Sequence, residues 1–248
     1  MSKGFDCATP LTAALARKFK ADGYAFVCRY LAPPGSGKRL TAAEAQVCTD
    51  AGLYLVSVFE RTADRALGGA ANGAEDGAMA LQYAQEVGQP KGSVIYAAVD
   101  FDATASNYNA IEAYLRAFDQ QIKGYECAVY GEYEVCKAML DRGVVKKVWQ
   151  TYAWSQGARL TGANLYQYQN DIVVNGIGVD LDESNGDAGG WQKGMAIEQA
   201  TALDAGVAQT IINTWIGPAW HEATDQQSKD YLHWLANELR KASGQPLE

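Results

Sequence analysis

The strongest constraint on the fold of this chain is a repeated alternation between short apolar segments and longer segments with helical spacing. Eight of the apolar segments are rich in β-branched and aromatic residues, which favour strands. Strands that alternate with helices are typical of parallel sheets, because a parallel pair needs a long crossover connection. The predicted strands span residues 4–6, 24–31, 53–60, 93–100, 127–130, 147–152, 164–169 and 178–182.

Segments with helical spacing fill most of the gaps between these strands. They span residues 11–22, 41–51, 72–87, 108–122 and 132–142, and a glycine stands where each should end. Thr41 and Glu44 form a capping box at the start of the second. We therefore predict an α/β fold, a (β/α)8 TIM-like barrel that is partly degenerate because the stretches after strands six and seven are too short for full helices. A doubly wound open sheet is the alternative.

The character of the sequence changes after Trp191. Residues 193–245 show no strand pattern, and their apolar residues predict two or three amphipathic helices. We predict a barrel domain over residues 1–191 and a small C-terminal α-helical module over residues 192–248. We expect Trp215, Trp220 and Trp234 to belong to the core of this module, because they fall among other apolar residues at helical spacing.

Composition and charge argue against several kinds of partner. The formal net charge is -8 and Lys146–Lys147 is the main basic pair, which disfavours nucleic acid. No apolar run approaches the roughly 20 residues that cross a bilayer, so we expect no membrane insertion. The first residues lack the apolar core of a secretion signal, so we expect synthesis in the cytoplasm without a signal peptide. The five cysteines fit neither a disulfide framework nor a zinc motif, and we expect them to be buried.

Acidic residues stand where several of the predicted strands end. The segment VIYAAVDFDA closes strand four with Asp100 and Asp102, and the two-residue period of a strand places both on one face. Such a pair is also typical of a turn or a helix cap. In a closed barrel, however, the carboxyl ends of the strands meet at one mouth. The other acids expected there are Asp6, Glu60, Asp180 and Asp182.

Clustered carboxyl groups shift the pKa of one another, so that one stays protonated while another stays charged. Enzymes that cleave glycosidic bonds use such groups: one carboxylic acid protonates the leaving oxygen, and a second carboxylate stabilises or traps the sugar cation. Aromatic residues near the same rim, among them Trp149 and Tyr166, would offer apolar faces to a sugar. A serine or cysteine nucleophile would lack a base, because the histidines His221 and His233 lie in the C-terminal helices. Asp180 and its neighbours begin a pattern like a calcium loop, but the remaining positions do not follow, so we expect no metal and no cofactor.

Several short motifs occur in a fixed order between residues 4 and 191. They are GFD, CRYL, a strand ending in FE, AVDFD, VYGEY, WQTYAWS, LYQYQ and GVDLDES. As an ordered set they resemble the glycoside-hydrolase-like domains of unknown-function family 1906, which are similar to the family 25 muramidases, the barrel lysozymes of phages and bacteria. The resemblance implies a peptidoglycan-degrading, bacteriolytic hydrolase of the phage endolysin type that cleaves a β-1,4 glycosidic bond.

The resemblance also implies roles for four catalytic aspartates. Asp102 stands where the family has its acid, a glutamate, and would protonate the leaving oxygen. Asp100 and Asp180 would stabilise the sugar cation or its neighbouring group, and Asp6 would orient them. Because aspartate is one methylene shorter than glutamate, three alternatives stay open: a barrel that brings Asp102 closer, an acid supplied by Glu60 or Glu132, or a barrel that binds cell-wall glycan without cutting it.

The remaining expectations concern binding and location. The substrate-binding residues that we predict are Glu60, Tyr130, Glu132, Tyr152, Trp154, Tyr168 and Asp182. We expect the protein to act on peptidoglycan at the bacterial cell wall after release by a holin or by lysis. The C-terminal module would bind the wall, pair subunits into a homo-oligomer, or cover apolar barrel surface. A structural or assembly role for the acidic barrel is a further alternative, and it would predict no affinity for wall material.

Overall fold

Eight strands close into a barrel in which each strand pairs with the next one along the chain. The structure, a computed structural model, describes residues 1–197 and 203–247. It divides into the units Met1–Ile197, which contains the barrel, and Glu198–Glu248. The strands are β1 (Ser2–Asp6), β2 (Phe26–Leu31), β3 (Tyr54–Phe59), β4 (Val94–Ala98), β5 (Glu126–Gly131), β6 (Val148–Thr151), β7 (Leu165–Val174) and β8 (Ile177–Ser184). The closed barrel confirms the predicted α/β fold and excludes the open sheet.

Five helices connect the first six strands and cover the outside of the barrel. They are α1 (Ala13–Ala21), α2 (Ala42–Asp50), α3 (Gly69–Val87), α4 (Tyr108–Gln121) and α5 (Tyr133–Asp141). The predicted capping residue is confirmed, since the Thr41 side chain accepts a hydrogen bond from the Glu44 N–H. In the described part of the chain no helix follows β6 or β7, which confirms the expected degeneracy.

The direction of β8 differs from the prediction that strand eight ends at the mouth. Strands β1 to β7 run parallel, but β8 runs antiparallel to both β7 and β1. Asp6, the last residue of β1, pairs with Asp180 near the start of β8. Asp180 therefore lies at the mouth, and Asp182 lies two residues deeper along the strand.

The reason for this reversal is a tight hairpin between β7 and β8. Asn175 and Gly176 form its two-residue turn, and both have positive φ angles, 56° and 84°. These are the angles of a type I′ turn, whose twist matches that of paired antiparallel strands. A two-residue turn leaves no room for the crossover that a parallel β8 would need.

Apolar side chains fill the barrel below the mouth. Phe26, Val56, Tyr96, Trp149 and Leu165 belong to this buried cluster, and the rings of Tyr96 and Trp149 meet edge to face at 5.9 Å. A second cluster lies between the barrel and its helices. All five cysteines are buried and unpaired, as expected. The acids at the mouth therefore lie above a closely packed apolar core.

A buried ion pair holds the loop that follows Asp6. Arg29 of β2 donates through Nε to Glu44 Oε1 of α2 at 2.7 Å, and both side chains are almost fully buried. The same carboxylate accepts the Leu11 N–H at 2.9 Å, and Arg29 donates to the Cys7 carbonyl. The pair therefore links β2 and α2 to the segment that leaves the mouth after β1.

The second unit is helical. It contains α6 (Ala205–Ile211), a π-helical segment (Ile212–Ile216), α7 (Gly217–Glu222) and α8 (Gln226–Ala242). The expectation that its three tryptophans form the core is wrong, because Ile212, Ile216 and Ala236 occupy that position. Trp215, Trp220 and Trp234 are 62%, 38% and 53% exposed. Across the described residues, no helix has the length and hydropathy of a membrane span.

We expect Glu44→Gln to lower the free energy of unfolding by about 3–5 kcal/mol, because it leaves the Arg29 charge buried without a counter-charge. Glu86→Gln is a matched control, since Glu86 pairs with Arg39 at 2.6 Å but its side chain is 39% exposed. That control should cost less than about 1 kcal/mol. Chemical denaturation of both variants measures the difference, and equal losses would contradict the structural role of the buried pair.

Candidate functional site

A cavity of about 260 Å³ opens at the mouth of the barrel. It brings together four of the predicted acids, which come from the ends of β1, β3 and β4 and from the start of β8. The residues that line it are Asp6, Tyr30, Val58, Glu60, Ala98, Asp100, Tyr130, Trp149, Ala153, Trp154, Gln167, Asn170 and Asp180. A second cavity of about 330 Å³ adjoins the first, since Asp6, Tyr30 and Asp180 line both.

A larger cavity of about 390 Å³ lies at the opposite end of the barrel. Its single carboxylate, Asp187, pairs with Lys147. Because the groups that could do chemistry converge at the mouth, we place the candidate site there despite the smaller volume. Among the described residues no group of three or more His, Cys, Asp or Glu side chains is arranged to hold a metal ion.

Asp6 and Asp182 are two buried carboxyl groups that lie close enough for each to shift the pKa of the other. Asp182 is fully buried, and its Oδ1 accepts the Trp149 Nε1–H at 2.9 Å. Its Oδ2 has no hydrogen-bond partner in the described structure. Burial raises the pKa of Asp182 well above its ordinary value, and burial together with the Asp180 charge raises that of Asp6 to about 8.

Gln167 of β7 connects this pair to Asp180. Its Nε2 donates to Asp6 Oδ2 at 2.7 Å and to Asp180 Oδ2 at 3.2 Å. Its Oε1 accepts the hydroxyl groups of Thr151, at 2.7 Å, and Tyr130, at 3.1 Å. These two donors fix the orientation of the amide, so the NH₂ group has to face the carboxylates.

Asp180 is held from the other side by the backbone of the hairpin. The Asp171 N–H donates to Asp180 Oδ1 at 2.7 Å. Burial raises the pKa of Asp180, and this hydrogen bond acts against the rise. Asp180 is therefore a half-buried carboxylate that is fixed at both oxygens and faces the cavity.

Asp100 and Glu60 form the opposite wall. Burial raises the pKa of Asp100, and the charge of Glu60 raises it further. The Lys38 ammonium pairs with Glu60 at 2.7 Å and lies 4.4 Å from the centre of the Tyr30 ring. On this wall Asp100 is the carboxyl group whose pKa is raised both by burial and by the negative charge of Glu60.

Asp102 does not share this cavity. The expectation that Asp100 and Asp102 project together from one strand face is wrong, because β4 ends at Ala98 and the chain turns before Asp102. Asp102 is exposed. Burial raises the pKa of the neighbouring Glu132, and the charge of Asp102 raises it further. Glu132 is buried outside the cavity, where its Oε1 accepts the Ala103 N–H at 2.9 Å.

The aromatic residues that we predicted to bind substrate lie partly inside and partly outside the cavity. Tyr130 and Trp154 line the cavity, whereas Tyr152 and Tyr168 do not. Tyr152 and Trp154 are equally exposed, at 42% each, but only Trp154 faces the acids. The backbone of Trp154 has a φ of 56°, an uncommon value for a bulky residue that points to a functional constraint.

Sequence reasoning missed Tyr30, Gln167 and Asn170. The two-residue period would have placed Tyr30 inward if Cys28 had been recognised as an interior position. The same period in LYQYQ sets Gln167 on the face of Leu165, which lies in the interior cluster. Asn170 carries no comparable signal, because an irregularity in the pairing of β7 and β8 decides where it points.

Comparisons with known proteins agree with this architecture. Residues 17–188 match the sequence model of the Rv2525c-like, glycoside hydrolase-like domain. FadG of Bacillus subtilis (strain 168) is 29% identical over 154 residues, which cover 56% of this chain and 26% of FadG. The chain thus spans about a quarter of the length of that curated relative.

Two solved structures illustrate the similarity. The Tat-secreted protein Rv2525c of Mycobacterium tuberculosis, in complex with L-tartrate, is 27% identical with a TM-score of 0.70, over 77% of this chain and 98% of Rv2525c. GHIP, a glycosyl hydrolase 25 of Streptococcus pneumoniae, is 10% identical with a TM-score of 0.51, over 75% of this chain and 87% of its own. At that identity GHIP shows the shared fold alone.

The raised pKa values at the bottom of the cavity predict that stability depends on pH. An acid whose pKa is raised on folding stabilises the protein below its unfolded value near 4, and this contribution is lost as the pH rises towards about 8. Asp182→Asn keeps an acceptor for Trp149 but removes one retained proton. We expect the free energy of unfolding of this variant to fall less steeply between pH 5 and 8 than that of the wild type, by roughly 1 kcal/mol per pH unit.

Denaturation of the wild type and Asp182→Asn at several pH values measures this slope. Asp141→Asn serves as the control, because Asp141 is exposed on α5. An Asp182→Asn slope equal to that of the wild type would mean that the pair retains no extra proton.

The exposed rings allow a matched test of the cavity wall. We expect Trp154→Ala to weaken the binding of a soluble oligosaccharide by about tenfold, since it removes the largest exposed apolar face in the cavity. Tyr152→Ala removes an equally exposed ring outside the cavity and should leave the affinity nearly unchanged. Titration calorimetry distinguishes the two, and equal effects would argue against the cavity as the binding site.

Proposed function

Because this chain belongs to the Rv2525c-like, glycoside hydrolase-like family, we propose that it is a glycosidase of the muramidase type that cleaves a β-1,4 bond in peptidoglycan. The observation that carries the proposal is the cavity at the mouth of the barrel. Asp6, Glu60, Asp100 and Asp180 converge there beside Trp154 and Tyr130. Carboxyl groups of unequal pKa and amphipathic rings are what cleavage of a glycosidic bond requires.

Asp100 is the proton donor in this proposal. Its pKa is raised by burial and by Glu60, so it retains a proton better than an exposed aspartate does. A carboxylic acid in the cavity wall can protonate the leaving oxygen of a sugar bound beside it. Asp102 stays the alternative donor suggested by the family pattern, and it would have to reach the substrate from outside the cavity.

Asp180 is the carboxylate that faces the sugar cation. Two donors, Gln167 Nε2 and the Asp171 N–H, hold its oxygens in place and favour its charged form. The raised pKa values of the buried Asp6 and Asp182 carboxyl groups limit the negative charge of the site. Asp6 therefore orients the cluster, in agreement with the role that the resemblance implies.

A second function, glycan binding without turnover, is favoured by the position of Asp102. The residue at the sequence position of the family's acid is exposed and outside the cavity. If Asp100 does not replace it as proton donor, the same cavity would hold a sugar and leave it intact.

We place the activity at the bacterial cell wall, where peptidoglycan is found, as in an endolysin released by a holin or by lysis. The C-terminal helical module would bind the wall or pair copies of the chain through its exposed tryptophans. A purely structural role for the acidic barrel would show no affinity for wall material in the experiment below.

The experiment incubates purified protein with peptidoglycan from several Gram-positive species and counts new reducing ends. We expect the wild type to release them and Asp100→Asn to lose at least 100-fold in rate, as for removal of a general acid, on the order of 10²–10⁴. Asp102→Asn is the control and should retain most of the activity, because its carboxylate lies outside the cavity. Pull-down on the same walls measures binding for each variant.

The opposite ranking, with Asp102→Asn inactive and Asp100→Asn active, would assign the donor to Asp102. Bound wild-type protein that releases no reducing ends would exclude the hydrolase and leave the glycan-binding function. Absence of both binding and release would contradict both proposals.

A further inference from the structure

The β7–β8 hairpin carries a bulge directly opposite Asp180. Gln169 pairs with Leu181 and Ile172 pairs with Val179, so two residues of β7, Asn170 and Asp171, face one residue of β8. Asp171 adopts a φ of 55°, which aspartate tolerates better than most residues. Bulges beside active sites commonly redirect a side chain, and this one redirects two groups.

The first group is the Asp171 N–H, which donates to Asp180. The second is the carboxamide of Asn170, which lines the cavity. Asn170 Oδ1 is shielded from solvent and has no hydrogen-bond partner among the described residues. A buried polar atom without a partner costs about 1–3 kcal/mol, so its position calls for a partner that arrives with the ligand.

The surroundings of Asn170 restrict the chemistry of that partner. The cavity already contains four carboxyl groups, which disfavours an anionic ligand group. A carboxamide offers one acceptor and two donors, and a secondary amide complements it with two separate groups, an N–H and a C=O, whereas a hydroxyl group does so through one oxygen. Ala153 and Trp154 in the same cavity give an apolar surface for the methyl carbon attached to such an amide.

We infer that Asn170 is a specificity-determining residue that binds a secondary amide of the ligand beside Asp180. The inference rests on the proposed function, because it assumes that the cavity binds a glycan. In peptidoglycan a secondary amide occurs as the acetamido group of the sugars and as the peptide bond of the stem. The geometry favours the acetamido group, since Asn170 in the bulge of β7 and Asp180, which faces that bulge from β8, would contact the same sugar unit.

Titration calorimetry with the full chain tests this assignment. The probes are a trimer of N-acetylglucosamine, a trimer of glucose and an alanine tripeptide. We expect the wild type to bind the N-acetylated trimer about tenfold more tightly than the glucose trimer, as one additional hydrogen-bonded group would give. Asn170→Ala should abolish this preference while leaving the glucose trimer as weakly bound as before.

Two variants control for other effects. Asn170→Asp keeps the shape and an acceptor for the ligand N–H but lacks the donors to the ligand carbonyl, so it should reduce the preference. Gln169→Ala changes the neighbouring residue, which is exposed and outside the cavity, and should bind like the wild type. Unfolding curves that coincide for all variants show that the fold is intact.

Each result has one meaning. A preference that persists in Asn170→Ala overturns the inference and leaves the proposed function standing. A preference that depends on Asn170 only for the tripeptide supports the secondary amide and moves it to the stem peptide. If the wild type binds neither trimer nor the tripeptide, glycan binding in this cavity, and the inference with it, is wrong.

Discussion

The burial of the Asp6 and Asp182 carboxyl groups side by side is the constraint on which the candidate site depends. Two ionised carboxylates buried this close would cost several kcal/mol each, so the pair retains a proton and is further stabilised by donors from Trp149 and Gln167. Because Gln167 accepts from Thr151 and Tyr130, its NH₂ group has to face Asp6 and Asp180. Gln167 therefore bridges the carboxylates of Asp6 and Asp180.

The antiparallel direction of β8 places Asp180 and Asp182 in this arrangement. A strand that enters at the mouth and descends into the barrel places Asp180 at the top and Asp182 below it, on the same inward face. The bulge opposite Asp180 then brings a backbone N–H and the Asn170 amide to the same point. The short hairpin that closes the barrel thus also builds one wall of the candidate site.

The positions of acidic residues at the ends of the predicted strands correctly indicated part of the site. Asp6, Glu60 and Asp100 were found because acids at the ends of parallel strands meet at one mouth, and the structure brings them together. Asp102 was placed there by the same rule but lies elsewhere, since the rule assumes that the strand continues to the acid. β4 stops at Ala98, and the two residues after Asp100 already belong to the turn before α4.

The sequence by itself determined the α/β alternation, its five connecting helices and the set of acids from which the site is drawn, because hydrophobic periodicity and chain punctuation are local properties. Only the tertiary structure decided that the barrel closes, the direction of β8, the burial of Asp6 beside Asp182, and the inward position of Gln167 and Asn170. These features depend on strand register and on contacts between residues more than 150 positions apart, such as Gln167 with Asp6. No local pattern contains that information, because the energy of a buried polar group is set by the partners that surround it after folding.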